Sequence, residues 1–596
     1  MTPVCSTAVR CPTQSTITTV ACLRRRASGW PVSWLASLVA TALAAACADP
    51  LGPLNTTVRI DGLAPAGEYV AGDTVHLRVE ITGVGGGADS AVTWFRDATD
   101  RVGIGVQLAL PVPDTGRFTL TAELRFPDDR RVSDRVLIMV RANTAPRLDL
   151  LRVLGGPTLY DVEPITLMVR ATDLETPDTL VQPVEWRRTD GSLLARGDSV
   201  ELEPGAFAVG SHTLQVTVRD PEGLLAHDSL TFEVIASPDR LRWARAFDVF
   251  GVDRTHLARA DDGMIVFMTF GGVVATDSTG RPKWIRNILD AVGTHSGSLM
   301  LDPAGNVYLY GFQGVGWSFT ATGELRWRRQ ILGFDPHSRF ALSADGLLYV
   351  AGQHRESYSI RNEGGSVLAR LEPETGEILW EIRRPERFLY GGALVGPTGL
   401  VVAGIGRRLL WATPDGAVVA ESDSTIRATY SRVSADRDGA VYLPHIVSHA
   451  FEPDGRYRWS QAAPSIYDLL LDGEARAFGS YDGQVSAVAT ADGALLWQRT
   501  VADGGLGQAA LTADGGIVVA FGTYVGALDR ATGSIRWELD LAVPIETSLA
   551  VAPDGTILAA DRSGRLLALR GDAGLDPAAP WPTDRADNRR TASVQP

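Results

Sequence analysis

The chain has 596 residues, 45% of them hydrophobic, which is long enough for several domains, each with its own core. Its formal net charge of -14 at pH 7 argues against nucleic acid as a partner, because phosphate binding requires basic patches. The cysteines lie at positions 5, 11, 22 and 47, so the sequence after Cys47 offers no disulfide, thiolate metal site or cysteine nucleophile.

Residues 1–47 are predicted to be an export signal with a lipobox-like end. Arginines 24–26 precede an apolar run from Trp30 to Ala46, which is the order of segments in a signal peptide. The run is shorter than the roughly 20 residues that cross a membrane comfortably. The stretch "LAAAC" at 43–47 resembles a bacterial lipobox, which implies that Cys47 carries lipid and begins the mature chain. A plain secretory signal with an unmodified cysteine is the alternative.

Two β-sandwich domains are predicted next, at 48–143 and 144–237. Short runs alternate apolar and polar residues, as in "TVHLRVEI" of the first domain and "HTLQVTVRD" of the second, and this period of two is typical of half-buried strands. Each domain has one central tryptophan, Trp94 or Trp186, which we expect in the core between two sheets.

The second of these domains resembles bacterial Ig-like and PKD-like modules through "W…DGSLLARG" and "HTLQVTVRD". The resemblance implies that Asp173, Glu175 and Asp220 gather at one end of the sandwich. They would form either a calcium site or a solvated acidic rim.

Residues 238–572 contain a repeat of short strands. The stretch "ALDRATGSIRW" (527–537) is predicted to form a strand, a tight turn and a second strand that ends on tryptophan. Similar stretches recur roughly every 40 residues, a period typical of β-propellers. They end on Trp243, Trp284, Trp327, Trp380, Trp459, Trp497 and Trp537. We expect these side chains to dock between blades, because buried indoles at a structural period serve packing.

A second feature of the repeat is a turn that ends in glycine and precedes an apolar strand. It occurs eight times, which predicts eight blades and a positive φ at glycines 263, 305, 346, 399, 439, 473, 515 and 555. The last copy has no tryptophan strand after it, so the strand around Trp243 is predicted to complete blade eight and to close the ring. Blades two and four depart from the pattern at 320–323 and 416–420, and in blade four Ala420 stands where tryptophan is expected. We therefore expect these two blades to dock differently.

The residues Ala527-Leu528-Asp529, Thr532-Gly533 and Trp537 resemble the tryptophan-docking repeat of PQQ-like (quinoprotein-type) propellers. The C-terminal "PWPTDRADNRRT" (580–591) is similar to a segment that often flanks such propellers, and we assign 573–596 as a C-terminal tail. The resemblance covers about residues 239–591. It implies the propeller architecture, in a family that includes dehydrogenases, assembly-factor lipoproteins and binding proteins.

Partner-binding residues are predicted on two loops. Blade three has extra residues around 352–367, which include His354, Arg355, Tyr358 and Arg361. Aromatic and guanidinium groups of this kind are enriched at binding hot spots, although a tolerated surface insertion explains the length equally well. His445 and His449 occupy the equivalent loop of blade five. No third ligand accompanies this histidine pair, and no metal site is predicted.

The sequence therefore predicts an all-β chain, an eight-bladed propeller after two Ig-like sandwiches. The predicted function is a non-enzymatic lipoprotein, exported and anchored at the outer membrane, that binds an envelope protein or polymer as a monomer or in a hetero-complex. No catalytic motif occurs and no cofactor is predicted. A PQQ- and calcium-dependent dehydrogenase is one alternative. The alcohol-oxidising relatives stack the quinone on a cysteine pair that is missing here, whereas sugar-oxidising relatives lack that pair too. A carbohydrate-binding protein is the other alternative.

Overall fold

A computed structural model describes residues 56–594 apart from short internal segments, and only the backbone at 353–355 and 364. The segments outside the description are 65–66, 84–91, 174–183, 222, 250–255, 270, 289–297, 312–313, 332–338, 356–363, 386–391, 406–407, 424–431, 445–446, 462–468 and 506. The predicted export signal and Cys47 lie outside the described residues. In the described part the regular elements are β-strands, and no helix long and apolar enough to cross a membrane is found there. The chain divides into two compact units, Met1–Arg141 and Ala142–Pro596.

The first unit contains a module of eight strands in two sheets. The strands are β1 Thr57–Asp61, β2 Glu68–Val70, β3 Thr74–Thr82, β4 Val92–Arg96, β5 Asp100–Ile104, β6 Gln107–Pro111, β7 Gly116–Arg125 and β8 Arg131–Arg141. One sheet has the order β1-β3-β6 and the other β2-β8-β7-β4-β5. Alternate residues of both sheets form one core, in which Trp94 is fully buried and donates its indole N–H to the Gly105 carbonyl at 2.9 Å.

The second unit begins with a module that has the same strand order. Its strands are β9 Arg147–Val153, β10 Thr158–Tyr160, β11 Ile165–Thr172, β12 Glu185–Arg188, β13 Leu193–Arg196, β14 Ser199–Leu202, β15 Gly210–Arg219 and β16 Leu225–Ile235. The sheets are β14-β11-β9 and β10-β16-β15-β12-β13. Trp186 is fully buried and donates to the Gly197 carbonyl at 2.9 Å, so both modules fix their central indole in the same way.

The rest of the second unit is built from four-stranded antiparallel sheets, eight of them within the described residues. They follow β17 (Leu241–Ala246). Sheet 1 is β18 Leu257–Arg259, β19 Ile265–Thr269, β20 Gly272–Thr276 and β21 Pro282–Asn287; sheet 2 is β22 Ser298–Leu301, β23 Val307–Tyr310, β24 Val315–Phe319 and β25 Leu325–Gln330; sheet 3 is β26 Arg339–Leu342, β27 Leu348–Arg355, β28 Gly364–Leu371 and β29 Ile378–Arg384; sheet 4 is β30 Leu394–Val395, β31 Val401–Ile405, β32 Arg408–Ala412 and β33 Val418–Glu421.

The remaining four sheets continue in chain order. Sheet 5 is β34 Ser434–Ala435, β35 Val441–Leu443, β36 Ser448–Phe451 and β37 Tyr457–Gln461; sheet 6 is β38 Leu470–Leu471, β39 Arg476–Tyr481, β40 Gln484–Ala489 and β41 Leu495–Thr500; sheet 7 is β42 Gly507–Thr512, β43 Gly516–Phe521, β44 Tyr524–Asp529 and β45 Ile535–Asp540; sheet 8 is β46 Ala550–Val551, β47 Thr556–Ala560, β48 Arg565–Arg570 and β17.

The sheets form a closed ring, which makes this part of the chain a β-propeller. First strands are neighbours from sheet 1 to sheet 4 and from sheet 5 to sheet 8, and β18 of sheet 1 also lies beside β46 of sheet 8. Sheets 4 and 5 share one hydrophobic core, which includes Leu394 and Ala435. The last position in sheet 8 is taken by β17, which pairs with β48 so that Trp243 lies opposite Ala568. Sheet 8 is thus assembled from both ends of the propeller sequence, and β48 has a partner on each side, β47 and β17.

Antiparallel pairing places the connections of every sheet on two faces of the ring. The turns between first and second strands, and between third and fourth strands, lie on one face, called here the turn face. The connections between second and third strands, and from one sheet to the next, lie on the opposite loop face. The eight glycines predicted to have positive φ all do so, from 76° at Gly473 to 92° at Gly263, which confirms the turn prediction.

Candidate functional site

The tryptophans of the fourth strands join each sheet to the next one. Trp284, Trp327, Trp380, Trp459 and Trp497 donate their indole N–H to a turn carbonyl of the following sheet, at 2.9, 2.9, 3.0, 2.8 and 3.1 Å. Each indole covers a turn glycine with positive φ; a Cβ on Gly323 would lie 2.7 Å from Trp284. Sheet 2 therefore docks like the other sheets, and the expectation of a different docking there is wrong. Trp243 covers Gly280 in the same way. Trp537 instead donates to the Asp572 carboxylate at 2.7 Å.

Sheet 4 has its tryptophan, Trp411, on the third strand instead of the fourth. In most sheets the tryptophan lies opposite a small residue of the third strand, as Trp459 lies opposite Ala450. In sheet 4 the two residues are exchanged, because Trp411 is on the third strand and Ala420 is its partner on the fourth. Trp411 is 2% exposed. Ala420 leaves no ring over the next turn, and a Cβ on Gly455 would lie 2.7 Å from the Glu421 carbonyl oxygen. Backbone therefore fills the place that an indole has elsewhere.

The C-terminal segment 575–594 passes along the inner strands of successive sheets, near their turn-face ends, and is largely buried. Inner-strand N–H groups of six sheets donate to its backbone carbonyls, for example Leu342 to Thr591 and Val395 to Ala592, at 2.9 and 2.8 Å. Val551 of sheet 8 donates to the Asn588 side chain at 3.0 Å. The sequence predicts a C-terminal tail at 573–596, whereas the structure places 575–594 inside the propeller. Unpaired inner-strand amides explain this, because buried N–H groups need partners.

A buried ionic cluster, called here the axial cluster, lies where this segment crosses the ring. Asp584 accepts from Arg432, which stands just before sheet 5, and from Arg590 at 2.5 Å. Arg590 also donates to Ser548 at 2.5 Å. The side chains of all three ionised residues are no more than 9% exposed. Removing one partner from such a buried set strands the charge of the others.

His256 adds a titratable group to the axial cluster. Its Nδ1 lies 4.0 Å from an Asp584 carboxylate oxygen, and its ring nitrogens make no hydrogen bond among the described residues. Burial, followed by the charges of Arg590 and Arg339, holds the pKa of His256 well below 6.5, so the ring is neutral. Burial alone would raise the pKa of Asp584, but the two arginines hold it well below 3.8, so the carboxylate is ionised.

The predicted partner-binding residues fall largely outside the described side chains. Tyr358, Arg361 and His445 lie outside the described residues. His354 and Arg355 belong to β27, where their backbones pair with Gly365 and Gly364. The predicted loop 352–367 is therefore shorter than expected, because its two ends extend the β27–β28 hairpin.

Glycine permits this longer hairpin. A Cβ on Gly365 would lie 2.1 Å from the Arg384 carbonyl oxygen, so a side chain there would push β29 away. The hairpin reaches the loop face. His449 is half-buried on β36, 6.2 Å from the ring of Tyr457. It therefore lies in a strand and not in the predicted loop, because it pairs with Leu443.

The acidic end of the second module shows turn-forming contacts. Asp220 is fully buried and accepts from the Gly223 and Leu224 amides at 2.5 and 2.7 Å, and from the Asn143 side chain at 2.8 Å. Asp173 is also buried, and Glu175 lies outside the described residues. Within the described ranges, no group of three or more His, Cys, Asp or Glu residues is arranged to hold a metal ion.

Sequence reasoning missed the axial cluster. Its members come from positions 256, 432, 584 and 590, which no local motif connects, and only the ring topology brings them to the axis. The one available signal is the charged run "DRADNRR" at 584–590, which is unusually rich in ions for a segment between buried residues.

Comparison with known proteins gives one family. The sequence pattern described as "outer membrane protein assembly factor BamB" matches residues 363–524 and 522–575. No curated protein sequence matches the chain.

Among solved structures, BamB from Moraxella catarrhalis is similar at 18% identity with a TM-score of 0.45, over 55% of this chain and 99% of that one. Quinohemoprotein alcohol dehydrogenase from Comamonas testosteroni is similar at 10% identity with a TM-score of 0.43, over 56% and 77% of the two chains. The WD40 propeller domain of Doa1 is similar at 13% identity with a TM-score of 0.34, over 46% and 92%.

Proposed function

We propose that this chain is a PQQ-like β-propeller protein that serves as a non-enzymatic protein-binding scaffold of the cell envelope. The observation that carries the proposal is the match of residues 363–575 to the pattern named for an outer-membrane assembly factor. In this proposal the eight four-stranded sheets are the blades of one propeller and the two preceding modules are Ig-like. Cys47 carries the lipid that anchors the chain at the outer membrane.

The proposed partner is a protein of the outer-membrane assembly machinery, bound at the loop face. Loops on a rigid scaffold commonly carry recognition, and the β27–β28 hairpin extends this face at sheet 3. The side chains assigned to binding are His354, Arg355, Tyr358 and Arg361, together with His445 and His449 of sheet 5. An interface of ordinary size would need roughly 800 Å² of this face.

The quinoprotein alternative requires a place for a cofactor with several carboxylates. The axial cluster has the guanidinium groups that such a cofactor would need. However, Arg432 and Arg590 already bind Asp584, and Arg585 donates to the Phe340 and Ala393 carbonyls. As arranged, these residues do not fit an added quinone, so we derive no redox step. Reduction of a dye by the purified chain supplied with PQQ and Ca²⁺ would contradict the non-enzymatic proposal.

A capture experiment tests the binding proposal. Residues 356–363 are replaced by a short Gly-Ser turn, and proteins from detergent-solubilised envelope are captured on the wild-type and shortened chains. The matched control is Leu495→Ser with Leu496→Ser, because these side chains are 57% and 49% exposed beside the turn face. We expect the shortened hairpin to lose the assembly proteins and the control to retain them. Equal capture by the shortened chain, or loss only in the control, would assign binding elsewhere.

The anchoring proposal has an independent test. Intact-mass measurement of the mature N-terminus should show a diacylglycerol-modified chain that begins at Cys47, and a Cys47→Ser variant should be released from membranes. An unmodified mature chain would remove the anchor from the proposal without affecting the partner-binding face.

A further inference from the structure

The second module and sheet 8 meet around one buried arginine. Arg565 of β48 donates from Nη2 to the carbonyls of Gly155 and Thr158 in the module, both at 2.9 Å. Gly155 has φ +83°, and a Cβ there would lie 2.8 Å from Nη2 of Arg565. The Tyr160 hydroxyl of the module accepts from the Ala542 amide at 2.7 Å, on the connection that enters sheet 8. These contacts hold the module on the loop face of sheet 8.

Two carboxylates share this single guanidinium. Nε of Arg565 lies 2.8 Å from a Glu163 oxygen in the module, and Nη1 lies 3.2 Å from an Asp561 oxygen in the β47–β48 turn. The three side chains are no more than 1% exposed. With both acids ionised, the site would hold one uncompensated negative charge away from water, which is costly without further partners. One of the two acids must therefore hold a proton for the contact to be stable.

Hydrogen bonding favours Glu163 over Asp561 as the protonated acid. One oxygen of Asp561 accepts from the Ser563 amide, the Ser563 hydroxyl and the Arg565 amide, at 2.9, 2.6 and 3.0 Å. Three donors stabilise the ionised form of Asp561. Neither oxygen of Glu163 receives a well-directed hydrogen bond from the described residues. Glu163 is thus the acid whose ionised form has the least support.

We propose that protonation of Glu163 is the switch of a pH-sensitive latch between the second module and sheet 8. Burial is the main cause that raises the pKa of Glu163, to about 8, against the opposing effect of Arg565. Tyr160, Arg565 and Asp561 also face the site. Burial raises the pKa of Tyr160 above 10. Burial raises the pKa of Asp561, and the charge of Arg565 is the largest effect in the opposite direction.

The direction of the pH effect follows from the raised pKa. Below the ordinary glutamate value of 4.5, Glu163 is protonated in both the closed and open forms, and the latch is at full strength. Between 4.5 and about 8 only the closed form holds the proton, so closure weakens as the pH rises. Above about 8 neither form holds it, and the pH dependence ends. The inference concerns module docking and stands apart from the proposed function.

Hydrogen–deuterium exchange of the full chain between pH 5 and 8.5 tests the latch, with rates corrected for intrinsic exchange. Peptides covering 155–163 and 541–546 report the contact, and a peptide covering 516–521 in sheet 7 reports the propeller itself. We expect the opening constant at the contact to rise about tenfold per pH unit up to pH 8 and then to level off. Sheet 7 should stay protected throughout.

Two variants complete the test. Glu163→Gln keeps the neutral form at every pH and should remain closed across the range. Glu201→Gln is the matched control, since it removes an exposed pair with Arg245 at 2.8 Å between the same module and sheet 8, and it should keep the wild-type pH dependence. A wild-type contact with no pH dependence would overturn the proposal. So would a Glu163→Gln variant that still opens with rising pH, or one that is open at every pH.

Discussion

Trp411 and Ala420, the exchanged pair in sheet 4, lead to a prediction about stability. It tests whether Trp411 compensates for the tryptophan that is missing at position 420. Trp411 is 2% exposed, so Trp411→Ala removes a fully packed indole and should cost about 3–5 kcal/mol. Ala420→Trp alone adds a ring where the Glu421 backbone already approaches Gly455, and overpacking of this kind costs about 1–3 kcal/mol.

Together the two substitutions should cancel in part. The double variant has the order found in the other sheets, with a small residue on the third strand and tryptophan on the fourth. We expect it to be more stable than the sum of the single effects by at least about 2 kcal/mol, because cross-strand partners couple energetically.

Urea unfolding followed by far-UV circular dichroism gives the four midpoints of this cycle at a common slope. The control cycle combines Ala420→Trp with Trp284→Ala, a docking indole of sheet 1. Residues so far apart should be additive within about 0.5 kcal/mol. If Trp411→Ala with Ala420→Trp is equally additive, Trp411 does not replace the missing docking indole.

Three further outcomes are expected. Gly376→Ala should lower the thermal unfolding midpoint more than Gly346→Ala. Both glycines have positive φ, but a Cβ on Gly376 would lie 2.8 Å from indole carbons of Trp327, whereas a Cβ on Gly346 would meet no atom within 4 Å. Equal midpoints would contradict docking of the indole on the turn. Trp581→Ala, at a fully buried position, should cost about 3–5 kcal/mol and speed amide exchange at Leu471; fraying confined to the C-terminus would contradict the axial role. Asp584→Asn should cost about 3–5 kcal/mol at pH 7 by stranding two arginines. The pKa of Asp584 is held well below 3.8, so the stability that this group contributes persists above that pH and falls as acid protonates it. Urea midpoints from pH 3 to 7 should therefore fall more steeply in acid for the wild type than for the variant.

The repeat could be predicted because its determinants are local. A glycine with positive φ must occur at each tight turn, and the apolar runs around Gly305 or Gly515 specify strands on either side. These constraints act within about ten residues, so they are visible in sequence. The all-β class follows from the same residues, and residues 363–575 of the repeat match the assembly-factor pattern.

The exchange in sheet 4 shows where local reasoning stops. From the sequence alone, Ala420 marks the absence of a docking tryptophan, and Trp411 is one apolar residue of a predicted strand. Their relation is a cross-strand register, which depends on the length of the turn between them. The loop prediction for sheet 3 was wrong for a similar reason. The sequence places Gly364 and Gly365 in a loop, but both pair in the β27–β28 hairpin. Glycine tolerates both states, and the close approach of β29 decides between them.

The axial cluster and the latch could not be predicted because each depends on closure of the ring. Glu163 and Arg565 are far apart in sequence, and both are ionisable types that usually lie at the surface. Burial of such groups follows from the docking of whole domains. The sequence contains the partners, but it does not contain a local pattern that pairs them.

Sheet 8 makes three of the contacts that hold the second unit together. It is closed by β17, it receives the second module through Arg565, and it is held at its inner strand by Asn588. Substitution in sheet 8 should therefore disturb several contacts at once. In the order of the ring, sheet 4 is the most distant from it, and the lengthened hairpin of sheet 3 stands next to sheet 4. A loop can vary there without disturbing ring closure, the module contact or the closing strand. This separation of tasks is the physical reason to look for partner binding on the loop face of sheets 3 to 5.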